Sequence, residues 1–576
     1  MKTNKYFCPQ LYLKFALAVA IVFPGVSTLA VTTQKKKTSS SSQASSQPQK
    51  SRKSSAKSAE GKLSQMASST KPTEKKTSEK RTAERRGGIE QVASSGHQSL
   101  SQALSHVRAG NYQQAVPLLF SLSRRSDLQS ERAQIKYILG NALLDLKLYQ
   151  VAAFMFVDVI RSGNAKYAKP SVEKLSLAAD ALGDDTLLNY ALSRIQPDQV
   201  PDAGKDLITY RLAEIKMRNG HFEQAAQLLT KVPIESRYFF QAKYKRGLAY
   251  LEAGHTAEAI KVFQNLLAVR SGAGVTDTNR VIAQMALARA LYQAQDWDGA
   301  IAAYREIPRD HDLWHEALFE SSWAMLRGAR FRSALSNFHS LHSTYYEDYY
   351  IPESLLLRSI VYLYICKYDE MEKVLNLFEK IYAPLSSQIA HFINHAADPL
   401  SYYQEVESAY NYSIGKDISV KTKLPLKVSL FVIREGDVKR AFGYMRNLNE
   451  EKNRIESMPA LMRSSFGPFA KKILSNRFKN AKISIGEMAK AHLQSMRNEL
   501  RDLYEQAGFI RYEMINGRKE QLKKVIAGKD IPKTTVDEQL DKTFYVQNGY
   551  EYWPFDGEYW LDEIGNYHYL GKQSCE

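Results

Sequence analysis

The chain has 576 residues, too many for one hydrophobic core, and 44% hydrophobic with 11% aromatic content is ample for folding. Its formal net charge of +18 sits mainly near one end: residues 31–90 hold 15 Lys/Arg against 5 Glu, and Lys2, Lys5 and Lys14 add three more positive charges. The remainder is close to balance, which excludes a folded basic face of the kind a nucleic-acid footprint needs.

Residues 1–30 read as an export signal. Lys2, Lys5 and Lys14 precede or open an apolar run from Phe15 to Phe23, Pro24 and Gly25 break it, and Thr28-Leu29-Ala30 offers small residues for cleavage. The run is short for a membrane span. The expected location is periplasmic or otherwise exported, with an uncleaved inner-membrane anchor as the alternative. Cys8 precedes the run and is not placed for a lipoprotein anchor. Residues 31–98 are rich in Ser, Lys, Thr and Gln and cannot bury enough apolar surface to offset ordering. They predict a disordered basic tether. It is either a solvated linker or, through residues 31–90, an electrostatic attachment to an anionic membrane or cell-wall surface.

From Ser99 one pattern recurs. A small residue is followed twelve positions on by Ala or a near-equivalent, and four further by a bulky apolar residue. The second anchors are Ala115, Ala152, Ala191, Ala225, Ala259, Ala300, Ala334 and Met371, spaced by 37, 39, 34, 34, 41, 34 and 37 residues. A period near 34 means stacked helical hairpins. A small residue on the first helix and Ala on the second let two antiparallel helices approach closely. Gly at the turn, as in Arg218-Asn219-Gly220-His221, supplies the left-handed position that ends a helix.

These residues resemble the tetratricopeptide repeat family over roughly 99–385. Asn219-Gly220-His221-Phe222-Glu223-Gln224-Ala225 and Ala253-Gly254-His255-Thr256-Ala257-Glu258-Ala259 are close to its inter-helix turn. The resemblance implies a right-handed α-solenoid whose concave groove binds peptides or partner proteins. Two features depart from the family: the aromatic early in the first helix is mostly missing, and several repeats exceed 34 residues. In register, Tyr137, Tyr210, Tyr244, Met285, Phe319 and Leu356 share a first-helix position that faces the groove in the family, with Asn141, Arg289 and Trp323 one turn later. They suit an apolar or aromatic-bearing partner segment, or else pack between hairpins. The family's basic clamp for C-terminal carboxylates is not reproduced.

Beyond Pro384 the pattern fades, but Gly436, Val438, Ala441 and Met445 recover half a unit, so 386–450 predicts degenerate repeats. Residues 451–543 predict a long helical hairpin or coiled coil. Leu493, Met496, Leu500, Leu503, Ala507, Ile510 and Met514 form a heptad seam, for a hairpin with residues 450–480 or for a homodimer through 493–514. Gly467-Pro468 is expected to kink or end the earlier helix. Residues 544–576 carry ten aromatics, including Trp553, Phe555, Tyr559 and Trp560. The turns Asp556-Gly557 and Gly565-Asn566 divide them into an expected three-stranded antiparallel β-meander over 550–555, 558–564 and 567–570. It would pack on the preceding helix or offer an aromatic docking surface.

No phosphate-binding glycine loop, paired zinc histidines or Cys-x-x-Cys is present in the sequence. His311 and His315 lack the intervening Glu of a zinc-protease motif, and no catalytic, cofactor or metal residues are assigned. Three cysteines make no disulfide framework. Cys366 reads as a small packed residue, and Cys575 as incidental or a link between chains. The expected function is therefore an exported, non-catalytic scaffold in an envelope assembly serving secretion, pilus, motility or cell-wall machinery. The alternatives are a surface-binding module acting through the tether and an enzyme with its site in 386–576.

Overall fold

The computed structural model describes residues 84–194, 205–270, 272, 274–416, 419, 422–527, 558–569 and 571. The export signal, most of the tether, Trp553 and Phe555 lie outside the described residues. Helix α1 (Glu84–Arg108) begins within the stretch expected to be disordered, so 84–98 is helical. A polar composition distinguishes a tether poorly from a solvated helix end.

The eight units follow as hairpins. α1 leads through a tight turn into α2 (Tyr112–Leu122), α3 (Arg132–Asp145) pairs with α4 (Tyr149–Arg161), and α5 (Ala165–Leu182) pairs with α6 (Thr186–Leu192). α7 (Lys205–Arg218) pairs with α8 (Phe222–Thr230), α9 (Phe239–Glu252) with α10 (Thr256–Ala268), and α11 (Asp277–Gln293) with α12 (Trp297–Arg305). α13 (Trp314–Arg327) pairs with α14 (Phe331–Leu341), and α15 (Glu353–Tyr364) with α16 (Tyr368–His395). All eight second anchors are fully buried, at 0% exposure. The small first anchor and the bulky residue sixteen positions on meet in space. A Cβ built on Gly140 would lie 2.6 Å from the Phe156 ring, and one on Gly247 2.5 Å from the Phe263 ring. The turns repeat as well: Gly110, Lys147, Gly220, Gly254, Gln295, Ala329 and Cys366 all take positive φ, between 55° and 84°, two residues before the second helix.

After α16 come α17 (Pro399–Ser413), α18 (Leu426–Arg434), α19 (Gly436–Glu456), the short α20 (Pro459–Met462) and α21 (Phe466–Ile526), a single helix of 61 residues. α19 and α21 form an antiparallel hairpin, fixed by Lys471 to Glu456 at one end and His492 to Asp437 at the other. The expected pairing of 450–480 with the seam is thus corrected. Gly467-Pro468 occupies the first turn of α21, where proline lacks no helical hydrogen bond, and the helix continues. Every seam residue is buried at 6% exposure or less. α21 packs on α15, α16 and α17, so the seam is covered by its own chain. Tyr504 meets Phe378, Arg511 bonds Glu379 at 2.7 Å, and Arg518 bonds Asp369 at 2.7 Å. A side chain at Gly486 would come within 1.8 Å of the Pro399 carbonyl oxygen, so the α17–α21 crossing is backbone on backbone.

The β-meander is not formed: there is no strand among the described residues, and 558–569 are turn and extended loop. Glu563 and Ile564 amides donate to the Trp560 carbonyl and Asn566 to Glu563, a local helical-type turn in place of a two-residue hairpin. The backbone donors a ladder would use are taken by a helix surface. Gly565 N–H donates to Ser340 Oγ at 2.7 Å and Tyr569 N–H to Ser336 Oγ at 2.9 Å. The described part of the tail therefore rests on α14. Residues 550–555 lie outside the described residues.

Candidate functional site: the inner line of the first helices

The first helices carry the side chains expected to line a groove. Tyr210, Met285, Phe319 and Trp323 are buried, at 2–6% exposure, and pack between units. Tyr210 stacks on Tyr238 at 5.7 Å. Tyr137 and Tyr244 are half-buried, the first beside Phe156 and Tyr167, the second beside Phe263. Asn141 is half-buried too, and Leu356 is buried. The recurring aromatic position thus serves mostly to join hairpins. Bulky aromatic spacing alone does not separate inter-unit packing from an open groove.

One turn further along, charge replaces aromaticity and links successive units. Glu214 of α7 accepts from Lys245 of α9 and, at 2.7 Å, from Arg211. Burial works to raise the Glu214 carboxyl, but Lys245 and Arg211 outweigh it and hold it below the ordinary range. Arg289 of α11 forks onto Glu320 of α13, with Nε and Nη2 at 2.8 and 2.7 Å, and reaches Glu316 at 3.4 Å. Tyr304 donates to Glu320 at 2.9 Å. Arg289 was legible in the sequence; its partners were not, because they lie 27 and 31 residues away on the next unit. Lys245 and Arg289 keep 28% and 35% of their side chains exposed, so the ladder reaches the surface.

The first and last units are covered by the returning C-terminal helices. Phe120 packs on Phe466 and Phe469, and Arg477 lies over Phe154. Glu451 on α19 accepts the Gln150 and Val151 amides at the start of α4, at 2.7 and 3.1 Å, and Tyr444 donates to Gln150 at 2.6 Å. Burial pushes Glu451 up to about 7, against the pull of those two amides. Asn447 caps the end of α5 through the Ala181 and Leu182 carbonyls. The helices of the middle units, α7 to α12, pack mainly on their sequence neighbours.

One cluster of ligand-type side chains occurs among the described residues. Glu435, Asp437 and His492 bring one atom each within 4.8 Å of one another. Sequence spacing could not find it, since His492 arrives on α21. Its geometry is that of an ion pair at a helix junction: His492 sits 2.9 Å from Asp437 and holds that carboxyl low despite burial. Of the expected aromatic docking surface, Tyr559 is half-buried against His339, whereas Trp560 is 60% exposed. No described helix is long and apolar enough to cross a membrane.

Comparison with known proteins agrees with the repeat geometry. Residues 100–165, 210–274 and 244–312 match the tetratricopeptide repeat family. No curated protein matches the chain. Among solved structures, the Rap protein complexed with competence and sporulation factor is 12% identical, with 69% of this chain and 99% of that chain covered and a TM-score of 0.25. The P58(IPK) TPR domain is also 12% identical, with 67% and 99% covered and a TM-score of 0.17. A circular tandem repeat protein is 14% identical, with 76% and 91% covered and a TM-score of 0.09. The chain contains tetratricopeptide repeats, the architecture of a protein–protein interaction scaffold.

Proposed function

We propose that this tetratricopeptide-repeat chain is an exported, non-catalytic adaptor that holds protein partners in an envelope assembly of the secretion, pilus, motility or cell-wall type. The observation that carries the reading is the uneven covering of the array. Its end units are packed by the chain's own helices, while the middle units keep an inner line of half-buried aromatic and charged side chains, Tyr244, Lys245 and Arg289 among them. Such a surface offers apolar contact with paired charges at its edge, which suits a polypeptide segment. Export is supported by the signal-like residues 1–30 and by Cys366, which is held in a disulfide. Disulfides persist in oxidising compartments outside the cytosol.

Crosslinking and affinity capture from the native envelope test the adaptor reading. The double variant Tyr244→Leu/Lys245→Ala keeps apolar packing and leaves Glu214 its Arg211 partner. It is expected to melt within a few degrees of the parent and to lose the captured partner. Undiminished capture by this folded variant contradicts the reading. The second reading, attachment to an anionic surface, rests on the 15 Lys/Arg of residues 31–90. Deleting 31–83, which spares α1, abolishes vesicle or cell-wall binding if the tether is the anchor and leaves it intact if it is not.

A further inference from the structure

The second helix of the seventh unit, α14, carries Arg332, Ser336 and Ser340 at one-turn spacing, and all three address the backbone of another segment. Gly571 C=O accepts from Arg332 Nε at 2.8 Å, Tyr569 N–H donates to Ser336 Oγ at 2.9 Å, and Gly565 N–H donates to Ser340 Oγ at 2.7 Å. The Ser336 hydroxyl donates its own proton back to the Arg332 carbonyl at 2.9 Å, which fixes it as an acceptor toward the tail. Two neighbours complete the surface. A Cβ built on Gly565, which takes φ 89°, would lie 2.6 Å from the Trp314 indole, and Arg309 bonds Asn566. His339 meets the Tyr567 and Tyr559 rings with centroids 4.4 and 5.3 Å away.

This surface selects for a particular segment and yet grips it lightly. Selection comes from the turn. Position 565 must lack a side chain, because the Trp314 ring occupies its place and the positive φ disfavours any other residue. Position 566 must offer an acceptor to Arg309. Before the turn an apolar residue is taken in, since Ile564 is buried, and after it Tyr567 lies on His339. The light grip shows in what is left out. Trp560 and Leu561 are 60% and 68% exposed, and Ile564 is the single buried side chain between 558 and 569. A segment held by a few polar contacts and one buried apolar side chain opens locally long before the array it rests on.

We infer that α14, with Trp314 and Arg309, is a peptide-docking site that takes a partner segment with an apolar-Gly-Asn turn followed by tyrosine, and that the chain's own tail is its exchangeable resident. A partner segment of this chemistry enters by displacing the tail, so the tail sets the threshold for entry. The arithmetic is that of an intramolecular competitor. At an effective concentration of about 1 mM and an intrinsic dissociation constant of about 0.1 mM, the tail weakens an incoming segment about tenfold. The site goes beyond the adaptor reading. It lies on a second helix, away from the first-helix line of Tyr244, Lys245 and Arg289, and it stands whether or not partners bind there.

The test uses the full chain and a synthetic peptide of residues 558–569 as the probe. Gly565→Val in the chain frees the site, because a β-branched side chain meets Trp314 and disfavours positive φ. By fluorescence anisotropy the labelled peptide is expected to bind this variant about tenfold more tightly than it binds the parent. The peptide carrying the same Gly565→Val change is expected to bind neither. Equal affinity for parent and variant, or no binding to the variant, overturns the proposal. A second measurement needs no variant. Isotope-labelled peptide at about 1 mM is expected to raise hydrogen exchange at the parent's own Gly565 and Tyr569 amides roughly fivefold, with α9 and α10 unchanged. Unaltered exchange at those two amides overturns exchangeability. A parent chain that is dimeric by light scattering and becomes monomeric on Gly565→Val identifies the tail of a second copy as the occupant, and overturns the partner assignment.

Discussion

Gly140 and Gly247 show what the repeat spacing means in atoms. Each is small because a phenylalanine sixteen residues later fills the space where its Cβ would be. This was readable in the sequence, because both partners recur at a fixed interval within one hairpin. Charges behaved differently. Glu320, Glu451 and Asp437 all act on residues of other units, and no local pattern announces them. Glu353 gives a titration prediction. It begins α15, and burial, aided by the charge of Glu499 on α21, pushes its carboxyl up to about 7. An unfolded Glu titrates near 4.5, so the folded state holds this proton more tightly. Its contribution to stability is fully present below about 4.5 and is lost as pH rises through about 7. Glu353→Gln is therefore expected to raise the melting temperature at pH 8 and to leave it nearly unchanged at pH 4.5. An equal shift at both values contradicts the assignment.

At the scale of elements, α21 and the tail were each half legible. The seam from Leu493 to Met514 was visible as a heptad, and its residues are buried. What the heptad could not name was the surface it covers. An apolar stripe is equally ready for a neighbouring helix, a second chain or the helices of its own repeat array. The array took it, and α21 became a strut of about 90 Å by helical rise, running from α2 to α16. The outer face of the strut exposes Phe509, Tyr512 and Ile515. The tail misled in the opposite sense. Alternating aromatics and two Gly turns satisfy the rules for a hairpin, but a strand needs a partner ladder. Serine hydroxyls on α14 supplied the hydrogen bonds instead. The strut's tightest point is Gly486 against Pro399. Gly486→Ala forces those backbones apart and should cost about 3 kcal/mol or more, read as a fall in the denaturation midpoint. A change below about 1 kcal/mol shows that the crossing is looser than described.

At the scale of the whole molecule, the repeats act as a frame that the chain itself partly fills. α19 and α21 return to α2, α4 and α5, so residues 300 positions apart share buried hydrogen bonds. A ligand competing for the end units would have to displace phenylalanine pairs and the Glu451 cap. A ligand at the middle units would meet Tyr244, Lys245 and Arg289 at the surface. Under the proposed adaptor function, partner binding falls on that one stretch of the inner line. The most direct measurement is photo-crosslinking in intact cells, with p-azidophenylalanine, nearly isosteric with tyrosine, at position 244. The same probe replaces Lys261, an exposed residue on the second helix of that unit, as a control. The account predicts a discrete adduct with a partner protein from position 244 and none from position 261. Adducts of equal yield from both positions, or from 261 alone, would contradict it.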